Sequence, residues 1–404
     1  MRHIISAAVF SLAISPVYAQ VLTHEDSLSA GLVRSNSSTV ISGYGEARVT
    51  YDLIDRTGNA DLTRNVLFVG HRFNQKIFMF SEWEIEDAKV EGGEPGGEIA
   101  MEQLFLKFNV NRDLYVNAGL FIPRLGIINE NHLPTTFNGI DRPYVETFVI
   151  PSTWREMGIA LYGQTPRLPG FNWTVGLFNG LNSEEFGNGS GIREGRFEGK
   201  NASASNLAVS AALLYYRDAF RFQVSGYYGG TAGLSHRDAD SLRLDSGPFG
   251  TPVALAEADA QYISEGFTFK ALGTIVAIPD AQNINRAYAN NTPQMMWGAY
   301  AEAGYNVLHP FATPEKNLVV FARYEMLDLN AKMSENGIRD ESLRQQYLVT
   351  GVTWMPVRGI AVKADYTMRT TGKPNPALQI NPYVNGQVFY ATRGFVNLGI
   401  AYSF

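Results

Sequence analysis

Residues 128–147, INENHLPTTFNGIDRPYVET, concentrate side-chain types that do chemistry in proteins. The segment holds Glu130, His132, Asp141, Arg142 and Glu146, and it follows neither a helical nor a strand period. Carboxylates near a histidine suit general acid–base catalysis, whereas mixed charges on an irregular loop also suit a ligand clamp or the narrow part of a channel. The elements that position this segment must decide between these alternatives.

The first twenty residues, MRHIISAAVFSLAISPVYAQ, have the three parts of a secretory signal. A polar start precedes the apolar residues 4–14, which are too few to span a bilayer, and Val17 and Ala19 fit cleavage before Gln20. We therefore predict a signal peptide over residues 1–19, a lead-in over 20–39 and a single domain over 40–404.

The composition excludes several classes of protein. The chain has no cysteine, which excludes disulfides, thiol catalysis and cysteine-ligated metals. It has 33 basic and 39 acidic residues, a balance that argues against nucleic acid as a partner. Beyond the signal no apolar run reaches the roughly 18 residues of a transmembrane helix. A transmembrane β-barrel stays open, because its strands are short and only alternately apolar.

Apolar and polar residues alternate along many segments, as on the two faces of a strand. In the last segment, GFVNLGIAYSF, Val396, Leu398 and Ile400 alternate with Asn397 and small residues. Upstream segments such as IFMFSEWEIE and IAVKADYTMRT interleave charges with apolar residues. Such charges do not suit a dry core, but they suit a water-filled lumen whose outer wall faces lipid.

This pattern predicts about sixteen strands in an all-β, transmembrane antiparallel β-barrel. The predicted strands are 40–52, 62–73, 76–88, 98–109, 112–122, 154–163, 171–179, 206–217, 219–230, 253–263, 265–277, 295–306, 316–328, 344–356, 358–370 and 391–404. Their connections alternate between tight turns and long polar loops, with LHPFATPEK as an exception. Short periplasmic turns and long external loops are typical of barrels of the Gram-negative outer membrane.

The opening segment lies within residues 123–153, the third long loop. A barrel of this size has a wide lumen, and a loop of this length is long enough to fold into it. Apolar residues would anchor the loop, while its charges would line the opening: the anchors are Ile127, Ile128, Leu133, Phe137, Ile140, Phe148 and Ile150. The predicted constriction residues are Arg124, Glu130, His132, Asp141, Arg142, Glu146, Arg155 and Glu156. Some of them would instead form salt bridges that hold the loop to the wall.

Several stretches also resemble the phosphate-selective porin O and P family. They are ISGYGEARVTYD, GHRFNQKIFMFSEWEIEDA, GGEIAMEQLFLKFNV and the run from GLFIPRLGI to STWREMGIALYG, within residues 41–163. The resemblance implies a sixteen-stranded outer-membrane porin that forms a homotrimer and whose third loop folds inward. The lysine cluster by which the family selects anions is not found here, so phosphate selectivity is not carried over.

Charged residues on the strands are predicted to face the lumen, where they guide solutes or pair with one another. They are Arg48, Glu82, Glu84, Glu86, Lys107, Arg221, Lys270, Arg323, Glu325, Lys363, Asp365 and Arg369. Aromatic residues are predicted to form girdles at the membrane interfaces or to pack between subunits. They are Trp83, Trp297, Trp354, Tyr366, Tyr402 and Phe404.

Three functions stay open at this point: a passive diffusion porin, an outer-membrane hydrolase, and an adhesin or structural barrel without an open pore. Small hydrophilic solutes or ions, anions such as phosphate among them, are the expected cargo of the first. A hydrolase would combine His132 with Asp141 and Thr135, although no spacing in the sequence makes them a triad. The expected partners are membrane lipid, lipopolysaccharide and, through Phe404, the barrel-assembly machinery.

No cofactor and no metal are expected, because the histidines are scattered without a pair at i, i+4. The acidic segment EDAKVEGGEPGGE is predicted to be a solvated loop, with divalent cations near lipid head groups as the alternative.

Overall fold

The computed structural model describes residues 37–86, 98–311, 316–378 and 389–404. Sixteen antiparallel strands form one closed barrel, in which each strand pairs with its neighbours in sequence and β1 pairs with β16. The predicted all-β barrel is therefore confirmed. The strands are β1 Thr39–Asp52, β2 Thr57–Arg72, β3 Ile77–Glu86, β4 Glu98–Asn109, β5 Leu114–Phe121, β6 Glu156–Gln164, β7 Phe171–Asn179, β8 Leu207–Arg217, β9 Phe220–Gly229, β10 Val253–Ser264, β11 Phe267–Ala277, β12 Met295–Asn306, β13 Asn317–Lys332, β14 Arg344–Met355, β15 Ile360–Thr371 and β16 Thr392–Ser403.

Burial alternates along the strands with a period of two, as the sequence pattern requires. On β9, Arg221 and Gln223 are buried, while Phe220, Phe222 and Val224 between and beside them are exposed. The polar side chains therefore point into the barrel and the apolar ones form its outer surface. This distribution is the reverse of that in a soluble sandwich, whose apolar face would be buried.

Short connections gather at one end of the barrel, which we call the turn end, and longer ones at the opposite end, the loop end. The short ones are residues 73–76, 110–113, 165–170, 218–219, 265–266 and 356–359. Residues 307–316 are longer and contain the 3-10 turn His309–Phe311, in agreement with the exception noted in the sequence. The alternation of connection length thus holds along the described chain, except at the first loop-end connection, residues 53–56.

The first loop is shorter than its polar sequence suggests. Residues 53–61 were expected to form it, but β2 begins at Thr57 and only residues 53–56 connect it to β1. Thr57 pairs with Asp52, and Asp61 pairs with Arg48, so the backbone ladder continues through these polar residues. Pairing depends on backbone hydrogen bonds, which exposed polar side chains do not prevent.

The described part of the chain has three short helices among the long loops: α1 Val145–Phe148, α2 His236–Leu242 and α3 Ala281–Tyr288. Ser235 caps the start of helix α2, because its side chain accepts a hydrogen bond from the backbone N–H of Asp238. Arg286 of α3 donates to the carbonyl of Arg243 beyond α2, at 3.1 Å, and so joins the two loops. Among the described residues, no helix has both the length and the apolar character that a membrane crossing demands.

Some of the predictions fall on other parts of the chain. The signal peptide over residues 1–19, the lead-in up to residue 36 and residues 87–97 of the acidic segment lie outside the described residues. The side chain of Glu86 is likewise outside them.

Candidate functional site

The long connection between β5 and β6, residues 122–155, folds into the barrel, and we call it loop 3. The backbone N–H of Ile140 donates to Oδ2 of Asp365 on β15 at 2.7 Å. On the other side of the lumen, the Nε2 amide of Gln223 on β9 donates to the carbonyl of Gly126 at 3.1 Å. Because β9 and β15 are six strands apart in the closed sheet, loop 3 crosses the lumen.

Apolar side chains of loop 3 fit into niches left by glycines of the wall. A Cβ atom on Gly298 of β12 would lie 2.8 Å from Val145, and one on Gly399 of β16 would lie 2.7 Å from Ile140. Both distances are too short for a real contact, so a larger residue at either position would require the loop side chain to shift. The predicted anchors are buried, except Phe148, which is half-buried: Ile127, Ile128, Leu133, Phe137, Ile140 and Ile150.

Arg323 of β13 holds the central part of loop 3. Its guanidinium forms ion pairs with Glu325 at 2.8 Å and with Glu302 at 3.1 Å. It also donates to the backbone carbonyls of Asn138 at 3.2 Å and Asp141 at 3.1 Å. All four acceptors surround one fully buried cation, which is the arrangement that makes a buried charge tolerable.

Glu130 is held between two arginines rather than standing alone at an opening. Arg124 lies 3.2 Å from it within loop 3, and Arg221 of β9 pairs with its other oxygen. Arg221 also pairs with Asp259 of β10 at 2.9 Å, and Arg124 lies over the ring of Tyr162. The alternative that loop charges tie the loop to the wall therefore describes Glu130.

His132 meets two wall carboxylates. Its Nε2 lies 3.4 Å from Oε1 of Glu82 on β3 and 3.8 Å from Oε2 of Glu102 on β4. Burial disfavours the charged imidazole, but the two carboxylates outweigh burial and raise the pKa of His132. Glu102 was not predicted to face inward, because Gln103 beside it has that parity. A register shift between β3 and β4 makes Glu102 an extra residue and turns both side chains inward.

Glu146 on α1 was expected at the opening, but it is buried in the loop. Its Oε2 accepts the backbone N–H groups of Ile127 and Ile128, each at 2.7 Å, and its Oε1 accepts the hydroxyl of Tyr300 at 2.6 Å. Desolvation raises the pKa of Glu146 to about 7, although these hydrogen bonds act in the opposite direction. With these contacts Glu146 holds loop 3 in place and does not contact solute.

Arg155 and Glu156 lie where loop 3 meets the loop 180–206, not at an opening. Arg155 pairs with Glu198 at 2.7 Å. Glu156 is fully buried and accepts hydrogen bonds from Trp154 at 2.6 Å and Tyr227 at 3.3 Å. A charge enclosed in this way cannot act on a passing solute.

Asp141 and Arg142 are partly exposed near the middle of the loop, as are Arg124 and Glu130 nearer its start. Asp141 pairs with Arg48 of β1 at 2.7 Å and accepts the hydroxyl of Tyr144 at 2.9 Å. Arg142 donates to the backbone carbonyl of His132 at 3.3 Å. Among the described carboxylates, none lies within 4 Å of the Arg142 guanidinium.

His132, Asp141 and Thr135, the three residues considered for a hydrolase, form no hydrogen bonds with one another. The partners of Asp141 are Arg48 and Tyr144, and the hydroxyl of Thr135 contacts Ser403 at 2.9 Å, whereas His132 faces Glu82 and Glu102. Since general acid–base work needs hydrogen-bond reach, these three residues do not form a triad.

The charged residues on the strands lie at positions whose side chains point into the barrel, as the alternation in the sequence predicts. Many are paired with each other or with loop 3. Lys363, for instance, donates to the carbonyl of Gly139 at 2.8 Å. The inward charges with described side chains are Arg48, Glu82, Glu84, Lys107, Arg221, Lys270, Arg323, Glu325, Lys363, Asp365 and Arg369.

The inner wall also carries aromatic residues that the sequence analysis missed. Neighbouring rings contact one another from β2 to β7 with centroid separations between 5.2 and 5.7 Å: Phe68, Phe80, Phe105, Phe121 and Phe178. The signal was present in β3, where Phe80 shares the parity of Glu82 and Glu84. This signal was overlooked because apolar residues were expected to face lipid.

Two cavities flank residues 127–131 of loop 3. One, of about 50 Å³, is bordered by the charged residues Lys107, Arg124 and Glu130. The other, of about 210 Å³, is bordered by Glu130, Arg221 and Lys270. Each cavity therefore has two basic residues for one acidic residue.

The aromatic residues predicted for the outer surface are found there. Trp83, Trp354, Tyr366 and Phe404 are exposed, with 70% exposure for Phe404. Trp297 and Tyr402 are half-buried among their outward neighbours.

Comparison with solved structures shows the same fold in outer-membrane proteins at low sequence identity. Salmonella typhi OmpF in complex with daunomycin gives a TM-score of 0.55 with 13% identity, over 91% of this chain and 97% of that one. A loop L8 deletion mutant of OmpT, an outer membrane protein of Vibrio cholerae, gives 0.53 with 9% identity, over 91% and 100%. An anion-selective porin from Comamonas acidovorans gives 0.52 with 12% identity, over 91% and 99%.

Comparison of the sequence gives a relative at higher identity. No family model matches the chain. An uncharacterized protein of Aquifex aeolicus (strain VF5) is 30% identical over 339 residues, which cover 81% of this chain and 74% of that protein. The chain belongs to the same family as this Aquifex protein.

Proposed function

We propose that the chain is an outer-membrane porin through which small hydrophilic solutes diffuse. The observation that carries the proposal is loop 3, which crosses the lumen of a closed sixteen-stranded barrel whose inward face bears charged residues. The apolar outer surface suits lipid, and the lumen of such a barrel is wide enough for solutes once a loop narrows it. A porin needs no catalytic group, in keeping with loop charges that are engaged in holding the loop.

The two cavities beside loop 3 favour anions as the solutes. Glu130 borders both, but it is already paired with Arg124 and Arg221. Lys107 borders the smaller cavity and Lys270 the larger one, so each lining carries two basic residues and one acidic residue. A basic lining raises the local concentration of anions, and phosphate is one candidate. The fold shared with a Comamonas acidovorans porin that is anion-selective supports this direction.

Planar-bilayer recording of the purified chain tests the proposal. We expect stepwise conductance and, in a KCl gradient, a reversal potential whose sign reports chloride as the more permeant ion. Stepwise conductance with a reversal potential of the opposite sign would contradict the anion preference but not the porin function. Absence of any stepwise conductance from correctly folded protein would reject the porin and favour a barrel without an open pore. Hydrolase activity on protein or phospholipid substrates is expected to stay at background.

The resemblance to the porin O and P family supports a homotrimer. Light scattering can measure the mass of the protein in detergent and so test this state. Contacts with lipopolysaccharide and recognition of Phe404 by the assembly machinery stay predictions. The exposed aromatic residues Trp83, Trp354 and Tyr366 are proposed to lie at membrane interfaces or between subunits.

A further inference from the structure

A cluster of three metal-binding side chains lies behind loop 3, at the wall formed by β3 and β4. It consists of Glu82, Glu102 and His132, whose nearest ligand atoms all lie within 4.8 Å of one another. Glu82 is 1% exposed, Glu102 0% and His132 4%. Three elements supply one residue each, so the cluster exists only when loop 3 is folded into the barrel.

The cluster is short of positive charge if the imidazole is neutral. Two carboxylates then face each other across one ring, and buried carboxylates need a counter-charge. Arg64 nearby is already paired with Glu46 at 2.9 Å and Glu84 at 3.3 Å. Arg142, which has no described carboxylate within 4 Å, contributes positive charge near Glu102, and a proton on the imidazole or a cation between the three ligands would supply the rest.

Hydrogen bonding leaves acceptor capacity in the cluster. The hydroxyl of Tyr44 donates to Oε2 of Glu102 at 3.0 Å, and the amide of Gln103 donates to Oε2 of Glu82 at 2.7 Å. These contacts orient both carboxylates from outside, as the partners of metal ligands do. Oε1 of Glu102 is buried without a well-formed hydrogen bond, and the side chain of Thr153 is a further donor beside the carboxylate. A buried carboxylate oxygen with spare acceptor capacity beside two other ligand groups is able to bind a cation.

The spacing is near that of a metal site. Ligands of a tetrahedral zinc at about 2.1 Å lie about 3.4 Å apart. The separation of His132 from Glu82 is 3.4 Å and that from Glu102 is 3.8 Å, so small side-chain movements would complete the geometry. One imidazole and two carboxylates suit zinc and similar transition metals better than calcium, which takes oxygen ligands only.

We propose that Glu82, Glu102 and His132 bind one divalent transition-metal ion, with zinc as the representative, and that the ion ties loop 3 to β3 and β4. Three protein ligands leave a fourth position for water. The inference stands apart from the proposed porin function, because it concerns binding and not conduction.

The test uses the full chain refolded into detergent micelles with zinc chloride and then dialysed against metal-free buffer. We expect about one zinc per folded chain. The variants His132→Gln and Glu102→Gln are expected to bind at least about tenfold more weakly, since even the loss of a second-shell partner costs about 10–100-fold. The control His236→Ala alters an exposed histidine of α2 and is expected to retain zinc. Cold SDS electrophoresis, in which folded barrels keep a distinct mobility, reports folding of each variant.

Cobalt substitution keeps the proposal testable if the variants do not fold. The folded wild-type chain loaded with Co²⁺ is expected to show the intense visible bands of a four-coordinate ion. Because the chain has no cysteine, His132→Cys would add a thiolate–cobalt charge-transfer band that only this cluster can produce. A folded wild-type chain that retains neither ion would overturn the proposal and assign the cluster to an imidazolium held by two carboxylates. Zinc retention unchanged in both glutamine variants would overturn it as well.

Discussion

The hydroxyl of Tyr300 donates a 2.6 Å hydrogen bond to Oε1 of Glu146 and so joins β12 to helix α1 of loop 3. The other oxygen of the same carboxylate accepts the backbone N–H groups of Ile127 and Ile128. A single side chain therefore closes the loop on itself and fixes it to the wall. Because this carboxyl group is completely buried, its ionisation is linked to how firmly the loop is held.

Loop 3 is expected to be held more firmly at about pH 5 than at about pH 8. The pKa of Glu146 is raised to about 7 in the folded chain, from about 4.3 in an unfolded one. The folded state therefore binds the proton more tightly, and this stabilisation is complete below about pH 4.3 and is lost as the pH rises through about 7. Hydrogen-exchange protection factors of the Ile127 and Ile128 amides, corrected for intrinsic exchange, measure the effect.

The matched control is Glu146→Gln, which keeps the shape of the neutral side chain and does not titrate. Its protection factors at the same two amides are expected to change little with pH. An equal pH dependence in wild type and variant would assign the effect to another group.

Replacement of Arg323 by alanine is expected to release the centre of loop 3. The change removes a buried cation from Glu302 and Glu325 and a donor from two loop carbonyls. Breaking a buried ion pair on one side costs about 3–5 kcal/mol. Urea unfolding in micelles measures the loss in the free energy of unfolding, and single-channel recording is expected to show larger or noisier steps.

Arg217→Ala serves as the control for Arg323→Ala, because Arg217 is exposed at the turn end of β8, and its only neighbouring carboxylate in the described salt bridges is that of exposed Asp218, 4.0 Å away. Exposed substitutions of this kind change the free energy of unfolding by no more than about 0.5 kcal/mol. Equal effects of the two alanine variants would show that Arg323 does not hold the loop.

The sequence predicts the wall of the barrel well, because the wall depends on a local alternation that each strand carries by itself. It also predicts that loop 3 lies inside, since the length and apolar anchors of the loop are visible. The sequence does not predict which residues pair with the charges of loop 3. Glu102 faces inward only because of a register shift between β3 and β4, and Gly298 matters only because Val145 packs on it. Both facts depend on pairing across the chain, which one strand's pattern does not contain.

Reversal of charge at Lys270 is expected to shift the channel toward cations. Lys270 borders the larger cavity beside loop 3, where it adds positive charge next to Arg221 and Glu130. The variant Lys270→Glu changes the local charge by two units, so the reversal potential in a KCl gradient is expected to move toward the potassium potential. Lys200→Glu makes the same change at an exposed position in the loop 180–206 and is expected to leave the reversal potential close to wild type. A larger shift in Lys200→Glu would assign selectivity to the loop end.

Filling the niche at Gly298 is expected to displace α1 from the wall. An added Cβ atom would lie 2.8 Å from Val145 and 3.2 Å from Val149, so Gly298→Val pushes the helix away from the wall at a cost of about 1–3 kcal/mol. Tyr300 follows two residues later on the same face of β12, and its bond to Glu146 is expected to weaken with the displacement. Lower protection of the Ile127 and Ile128 amides would report both changes. Gly273→Val is the matched control on β11, because a Cβ at Gly273 has nothing within 4 Å. Protection that falls equally in both variants would mean that valine weakens the strands themselves, and the niche would then have no part in holding loop 3.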